Sequence, residues 1–324
     1  MRYIVISGYG KKIRTRKNML NIVNMDGEKI NIAFGDIDSL IIASNGISIT
    51  SNVIRKLIRH GVDIVFLDGS GRPIGRIYPP FINRTVATRR CQYQAYFDER
   101  RWIIIETFIE SKFRNQANLL KYYSKSRDMD DLREIGEKIL EYISRIRGVK
   151  DRDKIIRIEA EAARIYWSGV SMLLPEDIEF NGRSPESFDL MNICINYCNS
   201  LVYSECWKAL VLAGLDPYAG YLHSDRSGKE SLIYDFSEMF KTVSVDRLLI
   251  KIFSSGERFD VEMGLLTNNS RKKLIKYFYE WMERRVRPTS GTPCTLRQCF
   301  RRWALKLASY LRNDLKTFRG FIES

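Results

Sequence analysis

The chain has 324 residues, of which 44% are hydrophobic, so it is long enough for two domains with apolar cores. Its net charge of +14 at pH 7 and its isoelectric point near 9.5 indicate a polyanionic partner, and without a lipidation motif or amphipathic anchor nucleic acid is favoured over a membrane. The N-terminal apolar run is too short for a signal peptide, so we expect a cytoplasmic protein. The six cysteines form no C-x-x-C pair and therefore do not support a zinc ribbon or a redox motif.

The first 80 residues are predicted to form a small β-rich domain, because short runs rich in Ile and Val alternate with turn residues. The predicted strands are residues 3–7, 19–24, 29–34, 39–44, 62–67 and 72–78. The Asp26-Gly27 pair predicts a tight hairpin, and one helix is expected at residues 51–59, closed by a structural His60. A small isolated sheet leaves edge strands unpaired, so we expect this domain to make a homodimer contact.

Pro79-Pro80 ends the first domain, because paired prolines cannot continue a sheet. Residues 81–324 then follow a helical period, which predicts a larger all-α domain. The expected fold class is therefore α+β, with a small N-terminal β-rich domain (residues 1–80) followed by a larger all-α C-terminal domain. A short strand pairing near Tyr221 or Leu232 remains open.

The helix predicted at residues 151–170 offers a candidate acid. Glu159 lies at the edge of the apolar face, where a carboxylate must be paired or bound to a metal, because an isolated buried charge is strongly unfavourable. An ion pair with a nearby arginine is the alternative. Glu161 falls on the outer face with Arg157 and Arg164, where salt pairing would satisfy it.

The apolar run from Leu190 to Ala213 predicts a buried central helix with one narrow polar stripe. The stripe consists of Asn192, Asn196, Ser200, Ser204 and Lys208. Gly214 is expected to adopt a left-handed conformation after the helix, and Asp216-Pro217 prevents the helix from restarting. The chain must therefore turn before it reaches His223.

His223 is one of two histidines and is followed by Asp235 and Glu238. A lone histidine is usually structural, but two nearby carboxylates on a basic protein favour a metal site for phosphate chemistry. The spacing of Asp235 and Glu238 is also that of a helix N-cap with an acid at the third position, in which neither carboxylate touches a metal. Spacing alone leaves both interpretations open.

Six arginines near the C-terminus surround a loop rich in Pro, Ser, Gly and Thr. They are Arg284, Arg285, Arg287, Arg297, Arg301 and Arg302. Trp281, Phe300 and Trp303 flank them, and this combination suits phosphate contacts and stacking on exposed bases of DNA. The solvated faces of two surface helices explain the cluster nearly as well.

Residues 196–240, NYCNSLVYSECWKALVLAGLDPYAGYLHSDRSGKESLIYDFSEMF, resemble the core signature of the Cas-one family, the CRISPR-associated integrases that insert new spacers into CRISPR arrays. Other segments resemble the family's remaining blocks in the family's order. They are SGYGKKIRTRKNML, HGVDIVFLDGSGRPIGRIYPP, RRCQYQAYFDERRWIIIETFIESKFRNQANLL and IEAEAARIYW.

The resemblance implies that Glu159, His223 and Glu238 are the catalytic metal ligands, although Ala160 stands where the family motif has glycine. One nitrogen and two carboxylate ligands fit Mg²⁺ or Mn²⁺ better than zinc. Asp235, as the N-cap of a helix, would act at most behind these ligands.

Arg226 and Lys229 follow His223 in a polar loop and are placed to support the non-bridging oxygens of a phosphodiester. The resemblance implies that the 3′-hydroxyl of a prespacer DNA attacks a phosphodiester at the CRISPR repeat by transesterification. It also implies homodimers bridged by the Cas-two protein. The absence of a Gly-x4-Gly-Lys-Ser/Thr loop is consistent with a reaction that needs no ATP.

Two other functions remain open at this point. A general structure-selective, metal-dependent nuclease would use the same residues. A non-catalytic DNA-binding subunit would need the basic surface without the metal site.

Overall fold

The computed structural model describes residues 2–78, 85–223 and 228–324. The chain divides into two compact units, one formed by Met1–Phe81 with Asp260–Tyr279 and the other by Ile82–Phe259 with Glu280–Ser324. Strands dominate the N-terminal region and helices the rest, which confirms the expected α+β class. Residues 260–279 belong to the first unit, whereas the expected boundary left every residue after 80 in the second.

Two four-stranded sheets build the first unit. Their strands are β1 (Arg2–Ile6), β2 (Lys12–Arg16), β3 (Met19–Val23), β4 (Lys29–Ala33), β5 (Ile37–Ile42), β6 (Ser48–Ile49), β7 (Asp63–Leu67) and β8 (Pro73–Ile77). The sheet orders are β1-β5-β7-β8 and β4-β3-β2-β6. β2 and β6 were not predicted; in β2 the fully buried Ile13 is the only aliphatic residue among basic and polar ones, so the strand lacks an apolar run.

The local predictions in the first unit agree with the structure. β3 and β4 pair antiparallel across the predicted hairpin, where Gly27 has a φ of +85°. Helix α1 (Ser51–Arg59) spans the predicted residues and buries Val53 and Leu57 completely against the sheets. His60 stacks on Phe34 with ring centroids 5.6 Å apart, which fits its structural interpretation.

Nine α-helices follow in the described ranges from residue 85 onward. They are α2 (Thr85–Ala95), α3 (Glu99–Arg127), α4 (Asp130–Ile146), α5 (Arg152–Ser171), α6 (Leu190–Leu212), α7 (Ser231–Ser237), α8 (Arg247–Ser254), α9 (Asn268–Met282) and α10 (Leu296–Leu311). No helix in these ranges is long and apolar enough to cross a bilayer. Tyr221 lies in an irregular turn and Leu232 within α7, so the strand pairing left open there is wrong.

Short hairpins interrupt the helices instead. β9 (Val261–Glu262) and β10 (Leu265–Leu266) are joined at Met263 and Gly264, both with positive φ. β11 (Arg285–Val286) pairs with β12 (Cys294–Thr295). Two-residue strands carry too little periodicity for a sequence pattern to reveal them.

Residues 260–279 are tied to the N-terminal strands by specific contacts. Arg271 of α9 donates a hydrogen bond to the carbonyl of Gly69 at 2.6 Å. The ring centroid of Tyr279 lies 4.3 Å from that of Tyr3. These contacts join residues far apart in the chain, which explains why the local pattern did not place this segment in the first unit.

α6 is the buried central helix that the sequence predicts. Arg183 donates to Oδ1 of Asn192 at 2.8 Å and to Oδ1 of Asn196 at 2.6 Å, so these members of the polar stripe are satisfied inside the protein. After α6, Gly214 has a φ of +83°, and its N–H and that of Leu215 bond back to the last turn. The predicted turn toward His223 is confirmed.

The C-terminal tail packs into the interior of the second unit. Phe321 is fully buried, with its ring centroid 4.9 Å from that of Phe240. Asn115 of α3 donates from Nδ2 to the carbonyls of both Met239 and Phe321 at 2.9 Å. Because Met239 follows Glu238, the tail packs directly beside the segment that carries a candidate acid.

Candidate active site

Glu159 lies on α5, with its side chain 20% exposed. Glu161 pairs with Arg145 of α4 at 2.8 Å and not with the arginines of its own helix, so its expected partners were wrong although its expected ion pairing was correct. The two glutamates of α5 therefore face different surroundings, and of the two only Glu159 approaches the segment around α7.

Lys112 of α3 joins Glu159 to Glu238. Its Nζ bonds to Oε1 of Glu159 and lies 2.7 Å from Oε2 of Glu238. Glu238 ends α7 and its side chain is only 6% exposed. On its other side, Oε1 of Glu238 accepts a hydrogen bond from Nζ of Lys241 at 2.6 Å. Two acids from separate helices thus converge on one ammonium group.

The charges around Glu238 fix its ionisation. Burial alone would raise the pKa of the Glu238 carboxyl, but the ammonium groups of Lys112 and Lys241 outweigh it and hold the pKa well below its usual range. Burial would lower the pKa of both lysines, yet the neighbouring carboxylates raise it above the ordinary lysine value. Glu238 is therefore an anion at neutral pH, and both lysines are cations.

His223 is held by Asp235, one helical turn before Glu238 in α7. Nδ1 of His223 lies 2.6 Å from Oδ1 of Asp235. The same carboxylate is fully buried and accepts hydrogen bonds from the backbone N–H groups of Tyr221, Leu222 and His223. Because a carboxylate only accepts, Nδ1 of His223 donates to Asp235, which leaves Nε2 as the ring nitrogen able to bind a metal.

Gly220 allows the turn before His223 to approach α7 closely. A Cβ atom at this position would lie 2.7 Å from Cβ of Ser231 and 2.9 Å from Oδ2 of Asp235. Any larger residue would push the turn away from the carboxylate that binds it. The Asp235 contacts therefore depend on a glycine at position 220.

Asp235 is not a helix N-cap, so that expectation was wrong. α7 begins at Ser231, with Glu230 as its N-cap and no side-chain capping bond. Glu238 is at the C-terminal end of the helix and not at its third position. The carboxylate of Asp235 does bond to backbone N–H groups, but they belong to the preceding turn, which the helical spacing could not reveal.

Lys229 places its Nζ 5.6 Å from the ring centroid of Tyr234. The same ring lies 5.9 Å from that of His223, so Lys229 and His223 border one aromatic side chain. Arg226, predicted for the same phosphate-supporting role, lies outside the described residues.

The predicted DNA-binding arginines separate into two groups. The exposed ones are Arg285, Arg287 and Arg301. The other three are half-buried and engaged: Arg302 donates to the carbonyl of Thr292 at 2.6 Å, and Arg297 lies 3.1 Å from a carboxylate oxygen of Glu283. Arg284 pairs with Glu323 of the C-terminal tail.

The aromatic residues near these arginines do not form the expected stacking surface. Phe300 and Trp303 are buried in the core, 1% and 0% exposed, so their proposed contact with bases is wrong. Trp281 is half-buried and donates from its indole N–H to the carbonyl of Val243 at 2.9 Å. Their apolar side chains are used for packing around α10.

The donors of the site fit Mg²⁺ or Mn²⁺ in chemistry. Glu159 and Glu238 converge on one cation, and His223 is oriented by a carboxylate in the manner of metal-binding histidines. Across residues 2–78, 85–223 and 228–324, no three His, Cys, Asp or Glu side chains already form a cluster able to hold an ion. The structure therefore brings the two glutamates together through Lys112 and attaches His223 to the same short helix through Asp235.

The family model for "CRISPR associated protein Cas1" matches residues 4–280. The chain belongs to this family. A relative named CRISPR-associated endonuclease Cas1 2, from Saccharolobus solfataricus, is 37% identical over 99% of this chain and 98% of its own. Another, CRISPR-associated endonuclease Cas1 from Hyperthermus butylicus, is 32% identical over 98% of each chain.

Solved structures show the same Cas1 fold. A casposase bound to its integration product has a TM-score of 0.85 and 26% identity, over 98% of this chain and 93% of its own. A CAS1 protein from Thermotoga maritima has a TM-score of 0.79 and 20% identity, over 98% of this chain and 99% of its own. The family resemblance read from the motifs is thereby confirmed.

Sequence reasoning missed the two lysines that organise the acids of this Cas1 protein. Lys241 lies one helical turn after Glu238, and this spacing could have predicted the pair. Lys112 lies on α3 and gave no such signal, because its contacts with Glu159 and Glu238 arise only when three helices pack together.

Proposed function

We propose that this Cas1 protein is a metal-dependent DNA endonuclease and integrase of CRISPR adaptation. It would join the 3′-hydroxyl ends of prespacer DNA to phosphodiesters of the CRISPR repeat. The observation that carries the proposal is the convergence of Glu159 and Glu238 on one cation in a chain of the Cas1 family. The endonuclease names of the relatives and the casposase bound to its integration product support it.

Glu159, Glu238 and Nε2 of His223 would hold Mg²⁺ or Mn²⁺. When bound, such an ion supplies positive charge for the anionic transition state of phosphoryl transfer. Asp235 fixes the orientation and the tautomer of the His223 ring through the contact at Nδ1. Lys229 and, by its place in the sequence, Arg226 would support the non-bridging phosphate oxygens.

The joining step is an exchange of phosphoesters. The attacking 3′-oxygen forms a bond to phosphorus while the bond from the same phosphorus to the leaving oxygen breaks. Because one bond to phosphorus forms while another breaks, the number of phosphodiesters is unchanged. The proton of the attacking hydroxyl ends on the leaving oxygen. Such a reaction requires no ATP.

The exposed Arg285, Arg287 and Arg301 are the arginines of the C-terminal cluster that we assign to DNA phosphates, since the other three already have protein partners. Their charge would provide affinity without sequence preference. The proposed location of this activity is the cytoplasm.

The proposed assembly is a homodimer formed through the β-rich domain, with the Cas-two protein bridging two dimers. Two edge strands support the dimer contact: β4 exposes Ile30 and β8 exposes Ile74, which are 44% and 68% exposed. A structural neighbour with this fold was solved as a Cas6-RT-Cas1–Cas2 complex, which motivates the bridging partner.

A strand-transfer assay tests the function. A labelled oligonucleotide with a free 3′-hydroxyl is mixed with a repeat-containing duplex, Mn²⁺ or Mg²⁺, and the protein with and without the bridging partner. We expect joined strands from the wild type and at least about 100-fold slower joining by His223→Ala and Glu238→Ala, with DNA affinity largely retained.

Glu161→Ala is the matched control for Glu159→Ala, since both remove one acid from α5. We expect only Glu159→Ala to lose joining. Fragments without joined strands would instead indicate a structure-selective nuclease, and DNA binding without either product would indicate a non-catalytic subunit. Both results would contradict the proposal.

A further inference from the structure

The candidate metal site already contains its own counter-ions. Glu159 and Glu238 are contacted by the ammonium groups of Lys112 and Lys241, so two carboxylates are matched by two positive charges. The side chains of Lys112 and Glu238 are 13% and 6% exposed, so water screens this arrangement little. Two carboxylates and two ammonium groups cancel in charge, so these four groups attract a further cation less than two unpaired carboxylates would.

A divalent ion cannot simply join this group. Bound between Glu159 and Glu238, it would lie within a few ångströms of the Lys112 ammonium, which occupies the space between them. Like charges at such distances repel strongly where the dielectric constant is low. One ammonium group must therefore move away when an ion binds.

The two lysines differ in how firmly they are held. Lys241 contacts only Glu238 of the pair, and its Nζ lies 5.2 Å from the ring centroid of Tyr203, a second favourable contact for a cation. Lys112 contacts both acids at once, in the position that an ion shared by them would need. Lys112 is thus the cation in direct competition.

We propose that Lys112 is the resident counter-ion of the acid pair and that a divalent metal ion displaces its ammonium group from between Glu159 and Glu238. This inference rests on the proposed metal-binding function. Lys112 then acts as a positioning residue: it keeps the two acids together before the ion arrives, and it lowers the affinity for the ion.

Lys112→Met tests the competition, because methionine keeps an unbranched side chain and removes the charge. Lys121→Met is the matched control, because it removes the same charge from the same helix. Nζ of Lys121 lies 4.0 Å from Oε1 of Glu137, which is not one of the two candidate ligands. Mn²⁺ affinity is measured by calorimetry on full-length protein, and thermal unfolding is followed in EDTA and in Mn²⁺.

Lys112→Met should bind Mn²⁺ at least about tenfold more tightly than the wild type, while Lys121→Met stays within about twofold. The melting temperature of Lys112→Met in EDTA should fall below that of the wild type. Mn²⁺ should raise the melting temperature of Lys112→Met by more than it raises that of the wild type. Equal or weaker Mn²⁺ binding by Lys112→Met would overturn the inference.

A second measurement needs no variant and decides the matter if Lys112→Met fails to fold. Wild-type protein is treated with an acetylating reagent in EDTA or in saturating Mn²⁺, and modification at each lysine is read by mass spectrometry. Mn²⁺ should increase modification of Lys112 and leave Lys121 unchanged. Unchanged modification of Lys112 in protein that binds Mn²⁺ would overturn the inference, whereas no Mn²⁺ binding by the wild type would overturn the proposed function itself.

Discussion

The two halves of the candidate site are held in different ways. Glu159 and Glu238 are held by charge, through Lys112 and Lys241. His223 is held by hydrogen bonds to the fully buried carboxylate of Asp235, which also binds the backbone beside it. A competing cation could replace a lysine beside Glu159 and Glu238. It could not replace the hydrogen bonds that hold His223 to Asp235. We infer that the histidine is fixed in advance and that the acid pair adjusts.

Removing Asp235 should have the largest effect, because three backbone N–H groups and the His223 ring would lose their acceptor. We expect Asp235→Ala to lower the free energy of unfolding by about 3–5 kcal/mol and Asp235→Asn by about 2–3 kcal/mol, measured by urea denaturation. The asparagine side chain keeps one oxygen that accepts hydrogen bonds, but its NH2 group would face the N–H groups that the Asp235 carboxylate binds. An N-cap would have tolerated the change to asparagine.

The matched control for Asp235→Asn is Asp177→Asn. Asp177 is exposed and pairs with Arg258 at the surface at 2.6 Å, so the change to asparagine should lower stability far less there than at Asp235. Similar losses in the two variants would show that the hydrogen-bonded half is no more firmly held than a surface ion pair.

Lys241→Met tests the half held by charge, and we expect it to lower the free energy of unfolding by about 2–3 kcal/mol at pH 7. The folded-state pKa of Glu238 is lowered, so its stabilisation is present above the unfolded value of about 4.3 and is lost as the pH falls toward the folded value. The deficit of the variant should therefore shrink in acid. A deficit that is constant from pH 7 to about pH 3 would contradict this origin.

Asp246 is a buried acid in the same unit that is bonded by a neutral group, the hydroxyl of Tyr166 at 2.7 Å. Burial raises its pKa to about 6, despite that hydrogen bond and the nearby positive charges. An acid with a raised folded-state pKa destabilises the fold as the pH rises from about 4 to that value. Asp246→Asn should therefore raise the free energy of unfolding by about 1–2 kcal/mol at pH 7 and leave it unchanged below about pH 4. Urea denaturation at pH 7 and below about pH 4 measures this difference. A loss of stability at pH 7 would contradict this expectation.

The arginine cluster offers the smallest effect and the same contrast between paired and free charges. Arg301→Ala should weaken DNA binding severalfold and reduce the slope of log affinity against log salt by about one. Arg284→Ala should leave that slope unchanged and lower stability, because Arg284 is paired with Glu323. The assignment fails if the two variants change the slope equally in a salt titration of DNA binding.

Local patterns predicted much of this molecule. The Asp26-Gly27 hairpin, α1, α6 and the turn at Gly214 follow from spacing within a few residues, and the structure has them. The fold class followed from the change of period after residue 80. These features depend on neighbours in the chain, which a single sequence displays directly.

What the sequence did not predict depends on packing between distant residues. Lys112 meets the two glutamates only when α3, α5 and α7 come together, and residues 260–279 return to the first unit through contacts with Tyr3 and Gly69. The role of Asp235 was missed because its partners lie in the preceding turn. The choice of Glu159, His223 and Glu238 as ligands came from the family motif and remains a prediction.

Diffraction from crystals of the full chain soaked in Mn²⁺, recorded at the manganese absorption edge, tests the central claim most directly. We expect one strong anomalous peak within coordination distance of Glu159, Glu238 and Nε2 of His223, with the Lys112 ammonium moved out of the space between the two acids. The same soak of Glu238→Ala crystals should show no peak there. In the wild type, a manganese peak at other residues, or no peak at Glu159, His223 and Glu238 at saturating Mn²⁺, would contradict the account.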